Sequence, residues 1–153
     1  MIKVSVFSEE KAWSKRLKNT DIFFKKICRA FPKKYQFSNK KVLFSLLLSN
    51  NKNIKKLNKN FRKKNKSTDV LSFPFHTKKE FKKKIKIDKE IYLGDIVINI
   101  SKIKNKANEM NFKTEFNKLW IHGLTHLFGY DHKKDLDFLK MTKIEKKFIS
   151  YLN

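Results

Sequence analysis

Cysteine, glycine and proline are scarce in this chain. Its 153 residues include one cysteine, three glycines and two prolines. A lone cysteine, Cys28, cannot form an internal disulfide, which excludes a disulfide-stapled scaffold and agrees with a reducing compartment. The apolar-rich segment around Cys28 favours a packed core thiol over a reactive one.

Long uncharged stretches and linkers are missing as well. No segment approaches the roughly 20 apolar residues that a membrane span requires, and the first residues lack the hydrophobic region of a signal peptide. We therefore expect a cytoplasmic protein with no membrane contact. No repeat and no linker rich in Gly, Ser or Pro divides the chain, so we expect residues 1–153 to form a single domain.

Acidic residues and arginines are few, whereas lysine is abundant. The chain has 38 Lys plus Arg against 14 Asp plus Glu, a formal net charge of +24, and only three of the cations are arginine. Such a charge attracts polyanions and favours a nucleic-acid partner. A biased amino-acid composition, in which lysine merely solvates the surface, is the competing explanation. With so few arginines, nothing favours sequence-specific reading of bases.

Apolar patterns divide the chain into strands and helices. Strands are predicted at residues 2–7, 41–49 (buried on both faces), 70–75 (at a sheet edge, because of Pro74) and 91–100. Helices are predicted from an N-cap at Ser8 to about Ala30, with a break at 19–21, and at residues 53–61, 101–110, 114–128 and 135–151. The lysine-rich segment 76–90 is interpreted as a solvated surface excursion. This order predicts an α/β (α+β) fold with one small sheet covered by helices.

Three of the four histidines fall within the motif HGLTHLFGYDH, which begins at His122 and ends at His132. On a helix, His122 and His126 stack on one face and can bind one metal ion. Gly129 suits the left-handed residue that follows a helix, so the chain can turn and bring His132 back as a third ligand. Three histidines with one open position are typical of catalytic Zn²⁺ sites, and the spacing matches the metal helix of metzincin proteases. The fourth histidine, His76, is not expected to be a ligand.

Zinc proteases carry a glutamate directly after the first histidine as general base, whereas this chain has Gly123 there. This difference argues against peptide hydrolysis and leaves the general base unassigned. Asp131 is either a partner that orients an imidazole or a turn residue. Asp95, like Thr68 and Asp69, is interpreted as a turn residue rather than a chemical group.

Three segments together resemble the YbeY family of bacterial single-strand-specific endoribonucleases and ribosomal RNA maturation factors. They are LNKNFRKKNKSTDVLSFP (57–74), LGDIVI (93–98) and the histidine motif, in the family's order. One departure is Thr125, where many members have leucine. The resemblance implies a four-stranded mixed sheet packed on helices that include a zincin-like metal helix.

The resemblance also implies a function and its residues. It implies a zinc-dependent endoribonuclease that processes precursor ribosomal RNA, notably the 3′ end of the small-subunit 16S RNA, and acts in ribosome quality control. One Zn²⁺ would be held by His122, His126 and His132, and Arg62 would be the functional arginine. A planar guanidinium can also grip a phosphate in a bidentate way, although a surface arginine or a salt bridge is the simpler interpretation of Arg62 taken alone.

The expected partners are a ribosomal RNA precursor and the ribosome or its proteins. Two other functions stay open at this point. One is a zinc-containing, non-catalytic ribosome-associated factor, and the other is a metal-dependent hydrolase of another class, such as a peptidase. Three imidazoles also suit Ni, Cu or Fe, so zinc is a preference. Neither the cleavage position nor the oligomeric state follows from the sequence.

Overall fold

Four strands and seven α-helices form the described part of the chain. The structure, a computed structural model, describes residues 1–104 and 108–152. In chain order the elements are β1 (Ile2–Ser8), α1 (Lys11–Ser14), α2 (Thr20–Ala30), α3 (Lys33–Gln36), β2 (Lys41–Ser49), α4 (Asn51–Arg62), β3 (Val70–Pro74), α5 (Lys78–Ile87), β4 (Glu90–Asn99), a 3₁₀ turn (Ile100–Lys102), α6 (Glu109–Leu127) and α7 (Asp135–Ser150).

The sheet has the order β1-β2-β4-β3. β1 and β4 each run parallel to β2, and β3 runs antiparallel to β4 at the edge. This arrangement confirms the predicted α/β fold with a four-stranded mixed sheet. It also confirms the edge position of the strand that contains Pro74, where a residue without an N–H leaves no ladder bond unmade.

One face of the sheet carries the main core. Val42, Phe44, Leu46 and Leu48 alternate along β2 with side chains at most 2% exposed. Helices α2 and α6 cover this face and α7 packs on α6. An aromatic group in this core includes Trp120, which contacts Phe24 and Phe31. The prediction that β2 is buried on both faces was wrong, because the alternate residues of β2 are only half-buried.

Helix α4 covers part of the opposite face. The Asn50 side chain caps this helix by accepting the Asn53 N–H at 2.8 Å. Ile54 of α4 is fully buried against Leu71 and Val97 in a second, smaller core. The helix therefore ends beside the edge strand β3, which places Arg62 next to that strand.

The predicted division of the segment from Ser8 to Ala30 into two helices is confirmed, but the break lies before Thr20, because Thr20 and Asp21 already belong to α2. Ser8 extends β1, and α1 begins only at Lys11. The Ser8 hydroxyl donates to the Glu10 carbonyl and does not accept a helix N–H, so Ser8 is not an N-cap. Cys28 is buried as predicted, and burial raises the pKa of its thiol to about 12.

The lysine-rich segment lies on the surface as predicted, since α5 has no buried residue, but the sequence did not predict that it contains this helix. Thr77 accepts the Glu80 N–H while the Glu80 carboxylate accepts the Thr77 N–H, a reciprocal capping box. Phe81 of this helix packs on Phe128 with ring centroids 5.6 Å apart. Helix α5 thus lies against the end of α6.

The helix predicted at residues 101–110 was wrong at Ile103, whereas residues 101–102 end the 3₁₀ turn and residues 109–110 begin α6. Ile103 is extended and buried, and α6 begins at Glu109, where the Asn108 side chain accepts the N–H groups of Met110 and Asn111. The rest of that prediction, residues 105–107, lies outside the described residues. Across residues 1–104 and 108–152, no helix is both long and apolar enough to span a bilayer.

Candidate metal centre

Helix α6 positions the first two histidines. Phe112, Phe116 and Trp120 bury one side of this helix completely, so its orientation on the sheet is fixed. His122 and His126 then lie one above the other at the edge of that buried side, both half-buried. Their ring centroids are 4.8 Å apart.

The end of α6 turns the chain back toward the same point. Gly129 has φ +83°, its N–H donates to the His126 carbonyl at 2.8 Å, and the Tyr130 N–H donates to the Thr125 carbonyl at 3.1 Å. These two bonds form a Schellman motif with glycine in the left-handed position, as predicted for Gly129. The reversal brings His132 back beside the helix.

The three predicted ligands come together in space. The His132 ring centroid lies 5.6 Å from that of His122 and 5.0 Å from that of His126. One ligand atom from each ring lies within 4.8 Å of the others, and these residues form the potential metal-binding group found within residues 1–104 and 108–152. Imidazole nitrogens at such mutual distances belong to residues that could hold one metal ion together.

Hydrogen bonds at Nδ1 of His122 and of His126 leave Nε2 of each ring free for a metal ion. His126 Nδ1 lies 3.0 Å from the Tyr130 carbonyl oxygen, and His122 Nδ1 lies 2.7 Å from Glu145 Oε1. Since carbonyl and carboxylate oxygens accept, each Nδ1 carries the hydrogen and each Nε2 keeps its lone pair. Burial, together with the neighbouring rings of His122 and His132, lowers the pKa of His126 to about 4. His126 is therefore neutral near pH 7, the state in which imidazole binds metals.

A cleft lies beside His122, and we call it the α6–α7 cleft. It has a volume of about 400 Å³ and is lined by the start of β3 and by one side each of α6 and α7: Asp69, Val70, Lys118, Leu119, His122, Thr142, Glu145, Lys146 and Ile149. Two lysines and two carboxylates thus face a space large enough for a small part of a polymer. Of the three histidines, His122 lines this cleft, so the cleft adjoins the potential metal-binding group on that side.

Arg62 lies at the end of α4, outside the α6–α7 cleft. Its Nη2 donates to the Ser72 carbonyl at 2.8 Å, and its guanidinium carbon lies 5.9 Å from the centre of the Phe73 ring. Among the described residues, no hydrogen bond joins Arg62 to a histidine. Strand β3 connects the two regions, because Val70, two residues before Ser72, lines the cleft.

Packing explains the glycine at position 123, where zinc proteases carry glutamate. A Cβ atom at Gly123 would lie 2.7 Å from Ile96 Cγ2 of β4. A longer side chain would therefore collide with the sheet instead of reaching the histidines. A glutamate at this position is incompatible with the packing of α6 on β4.

The remaining candidates have local roles. Asp131 Oδ1 accepts the His132 backbone N–H at 2.8 Å, so Asp131 shapes the turn. Asp69 Oδ1 accepts the Val70 N–H at the entry to β3, as expected of a turn residue. Asp95 was wrongly interpreted as a turn residue: it lies within β4 and accepts a hydrogen bond from Tyr92. His76 packs on Phe75 and is not part of the metal-binding group.

Glu145 was not predicted from the sequence as a site residue. Its contact with His122 spans 23 positions between two helices, and no spacing rule predicts it. A signal existed nonetheless. Glu145 follows buried Met141 by four residues and precedes buried Phe148 by three, so an acidic residue occupies the apolar stripe of α7.

Comparison with known proteins gives consistent results. Residues 6–153 match the family model described as Endoribonuclease YbeY. Proteins named Endoribonuclease YbeY from Pelagibacter ubique (strain HTCC1062) and Ehrlichia canis (strain Jake) are 50% and 34% identical to the chain. These alignments cover 99% of this chain in both cases, with 97% and 93% of the relatives.

A solved structure has the same fold. The solution structure of TM1509 from Thermotoga maritima superimposes with a TM-score of 0.59 at 28% sequence identity, and covers 99% of this chain and 89% of that one. The family model extends over nearly the whole length and includes the three histidines, Arg62 and Glu145. The chain belongs to the endoribonuclease YbeY family.

Proposed function

We propose that this chain is a zinc-dependent, single-strand-specific endoribonuclease that holds one Zn²⁺ ion on His122, His126 and His132. One observation carries the proposal: three imidazoles meet beside a cleft that contains lysines, and two of them present Nε2 as the free nitrogen. Relatives that cover almost all of the chain are named endoribonucleases, which supports RNA cleavage as the reaction.

The donor set fits a catalytic metal. Three imidazole ligands would leave one coordination position open, whereas structural zinc sites are usually closed by four protein ligands. A bound zinc ion supplies Lewis acidity at a phosphate oxygen and lowers the pKa of water. The protein's own part is to keep His126 neutral, through its low pKa, and to orient the rings of His122 and His126 through their Nδ1 hydrogen bonds.

Cationic side chains supply the substrate contacts. Lys118 and Lys146 line the α6–α7 cleft and carry charges that attract a phosphodiester backbone. Arg62 uses one N–H on the Ser72 carbonyl, and a guanidinium has five such donors, so its remaining donors can bind a phosphate. We infer that the RNA strand runs from the cleft along β3 toward Arg62.

A peptidase function has less support. Its general base would stand where Gly123 packs on Ile96, and a glutamate does not fit there. The net charge of +24 also favours a polyanionic substrate over a peptide.

We further propose that residues 1–153 act as one domain in the cytoplasm, where they process ribosomal RNA. The inferred substrate is the precursor of the small-subunit 16S RNA near its 3′ end, with the ribosome or its proteins as partners and a role in ribosome quality control. Sedimentation of the chain with purified small subunits tests the association. Binding that persists at a salt concentration where naked RNA has dissociated supports a protein partner.

Elemental analysis followed by RNA cleavage tests the enzymatic proposal. The purified chain should contain about one zinc per molecule, and it should cut single-stranded RNA while leaving a duplex of the same sequence intact. A chelator should abolish cleavage, and added zinc should restore it. Undiminished cleavage by fully metal-free protein would refute the metal-dependent reaction.

A further inference from the structure

Glu145 is the acidic group in direct contact with a proposed ligand ring. Its Oε1 lies 2.7 Å from His122 Nδ1, and the two side chains are 22% and 33% exposed. Both groups are therefore partly withdrawn from water, where a hydrogen bond between them is weakened less by solvent.

This pair differs from the other ion pairs of the described residues. Six pairs occur there, and five of them join a carboxylate to a lysine. Glu145 alone pairs with a histidine, in a chain with 38 lysines and arginines. Lys146 is its neighbour in sequence and lines the same cleft, yet forms no ion pair with it.

Helix α7 holds Glu145 in this position. Met141 and Phe148, one turn to either side, are buried, and Phe148 packs on Phe31 with ring centroids 4.7 Å apart. The carboxylate consequently points toward α6 rather than into solvent. Thr125 of α6 lies beside it, with Oγ1 2.7 Å from the His122 carbonyl oxygen and 3.4 Å from Glu145 Oε1.

The contact decides which nitrogen of His122 is free. A carboxylate accepts a hydrogen from Nδ1, so Nε2 keeps the lone pair that a metal requires. In His126 the same tautomer is favoured by a hydrogen bond to the backbone carbonyl of Tyr130, which no side-chain substitution can remove. The orientation of His122, in contrast, depends on one side chain from another helix.

We propose that Glu145 is a positioning residue that holds His122 in the Nδ1–H tautomer and aims Nε2 at the metal. The role rests on the proposed metal-dependent function, and it acts through His122 rather than on the RNA. Such partners of metal-binding histidines typically affect metal affinity or activity by roughly 10–100-fold.

The test uses the full chain carrying Glu145→Ala or Glu145→Gln. The ¹⁵N NMR signals of the His122 ring, recorded without metal at pH about 8, well above the ordinary histidine pKa of about 6.5, report its tautomer. We expect the Nδ1–H form in the wild-type chain and a mixture of tautomers in Glu145→Ala. Competition with a chromophoric chelator should show zinc affinity lowered by about 10-fold or more in Glu145→Ala. Glu145→Gln, which keeps an acceptor oxygen, should fall between the two.

Glu109→Gln is the matched control. It removes the same charge from α6, which carries the ligands, but lies 13 residues before His122, about 20 Å along the helix. We expect wild-type tautomer and affinity in this variant. If Glu145→Ala and Glu145→Gln lower the unfolding temperature yet keep the tautomer and the zinc affinity, Glu145 merely joins two helices and the proposal is overturned.

These readouts need no RNA. A wild-type chain that binds zinc through an Nδ1–H tautomer of His122 but cuts no RNA would refute the proposed function and leave the role of Glu145 intact. If Glu145→Ala does not fold, Glu145→Gln decides the question alone. An unchanged tautomer and affinity in that variant overturn the proposal.

Discussion

Arg62 donates a hydrogen bond of 2.8 Å from Nη2 to the main-chain carbonyl of Ser72. The bond joins the last residue of α4 to the middle of the edge strand β3, and the guanidinium also lies near the Phe73 ring. The side chain is thus held at one end while most of its donors face solvent. A lysine at this position would lack the planar fork that can bind Ser72 and a phosphate together.

Arg62→Ala should keep the metal and lose cleavage. The variant removes a cation proposed to bind the phosphate, and loss of one such group typically lowers kcat by roughly 100–1,000-fold. Arg62→Lys should recover only a small part, because it restores charge without the fork. Zinc content and RNA cleavage rates check both statements.

Arg29→Ala provides the control for charge, since Arg29 is an exposed arginine of α2. Its cleavage rate should stay near that of the wild type. Equal cleavage by the Arg62→Ala variant and by this control would remove Arg62 from the mechanism.

His126→Ala should abolish both zinc retention and RNA cleavage. The substitution takes away one of three ligands, and the remaining two imidazoles cannot hold the ion at comparable affinity. His76→Ala removes a histidine outside the metal-binding group and should leave both properties unchanged. Bound zinc per chain, measured beside nuclease activity, tests the pair. A His126→Ala chain that lacks metal but cuts RNA at the normal rate would contradict the proposed reaction.

The grouping of the three histidines is largely predictable from sequence because its determinants are local. His122 and His126 share a helix face through their spacing, and Gly129 ends that helix in the left-handed conformation that the motif predicts. The strands are predictable for a similar reason, since each is a short apolar segment that stands out in the local sequence. None of these inferences requires knowledge of how distant helices pack.

Other features depend on such packing or on signals that lysine obscures. The contact between Glu145 and His122 exists only because α7 crosses α6 at that point. Helix α5 was missed because its ten residues include six lysines and suggest a solvated surface, although Thr77 and Glu80 form a capping box. Local hydrogen-bonding residues are in this case a better guide to the helix than composition.

The stability of the metal-free chain should decrease as pH falls from about 6.5 to about 4. The pKa of His126 is about 4 in the folded chain, against an ordinary value of 6.5. Above about pH 6.5, His126 is unprotonated in both the folded and the unfolded chain, so its titration does not lower the unfolding free energy. Between the two values the unfolded chain binds a proton that the folded chain does not, and the unfolding free energy declines. Below about pH 4, His126 is protonated in both the folded and the unfolded chain, so this residue causes no further decrease in the unfolding free energy.

Urea unfolding of chelator-treated protein at several pH values measures this effect. His126→Gln, which cannot titrate, should show a shallower decline over the same range than the wild-type chain. Parallel declines in the two proteins would show that the pKa of His126 is not depressed by its surroundings.

Gly129→Ala should destabilise the chain and weaken zinc binding together. The left-handed conformation at φ +83° costs a non-glycine residue about 1–2 kcal/mol. The new Cβ would also lie 2.8 Å from the Lys78 Cα of α5, so backbone must move. Any shift of this turn displaces His132, which reaches the other ligands only through it. We therefore expect a loss of about 1–3 kcal/mol in unfolding free energy and a lower zinc affinity.

Gly129→Asn separates the two causes, because asparagine tolerates the left-handed region but still carries a Cβ. If the strain at φ dominates, Gly129→Asn should be clearly more stable than Gly129→Ala; if the contact with Lys78 dominates, the two variants should be equally destabilised. Lys133→Ala, an exposed substitution in the same turn, serves as the control. Wild-type zinc affinity in a folded Gly129→Ala chain would show that the Schellman motif is not what brings His132 to the metal, and the link between helix end and metal site would have to be abandoned.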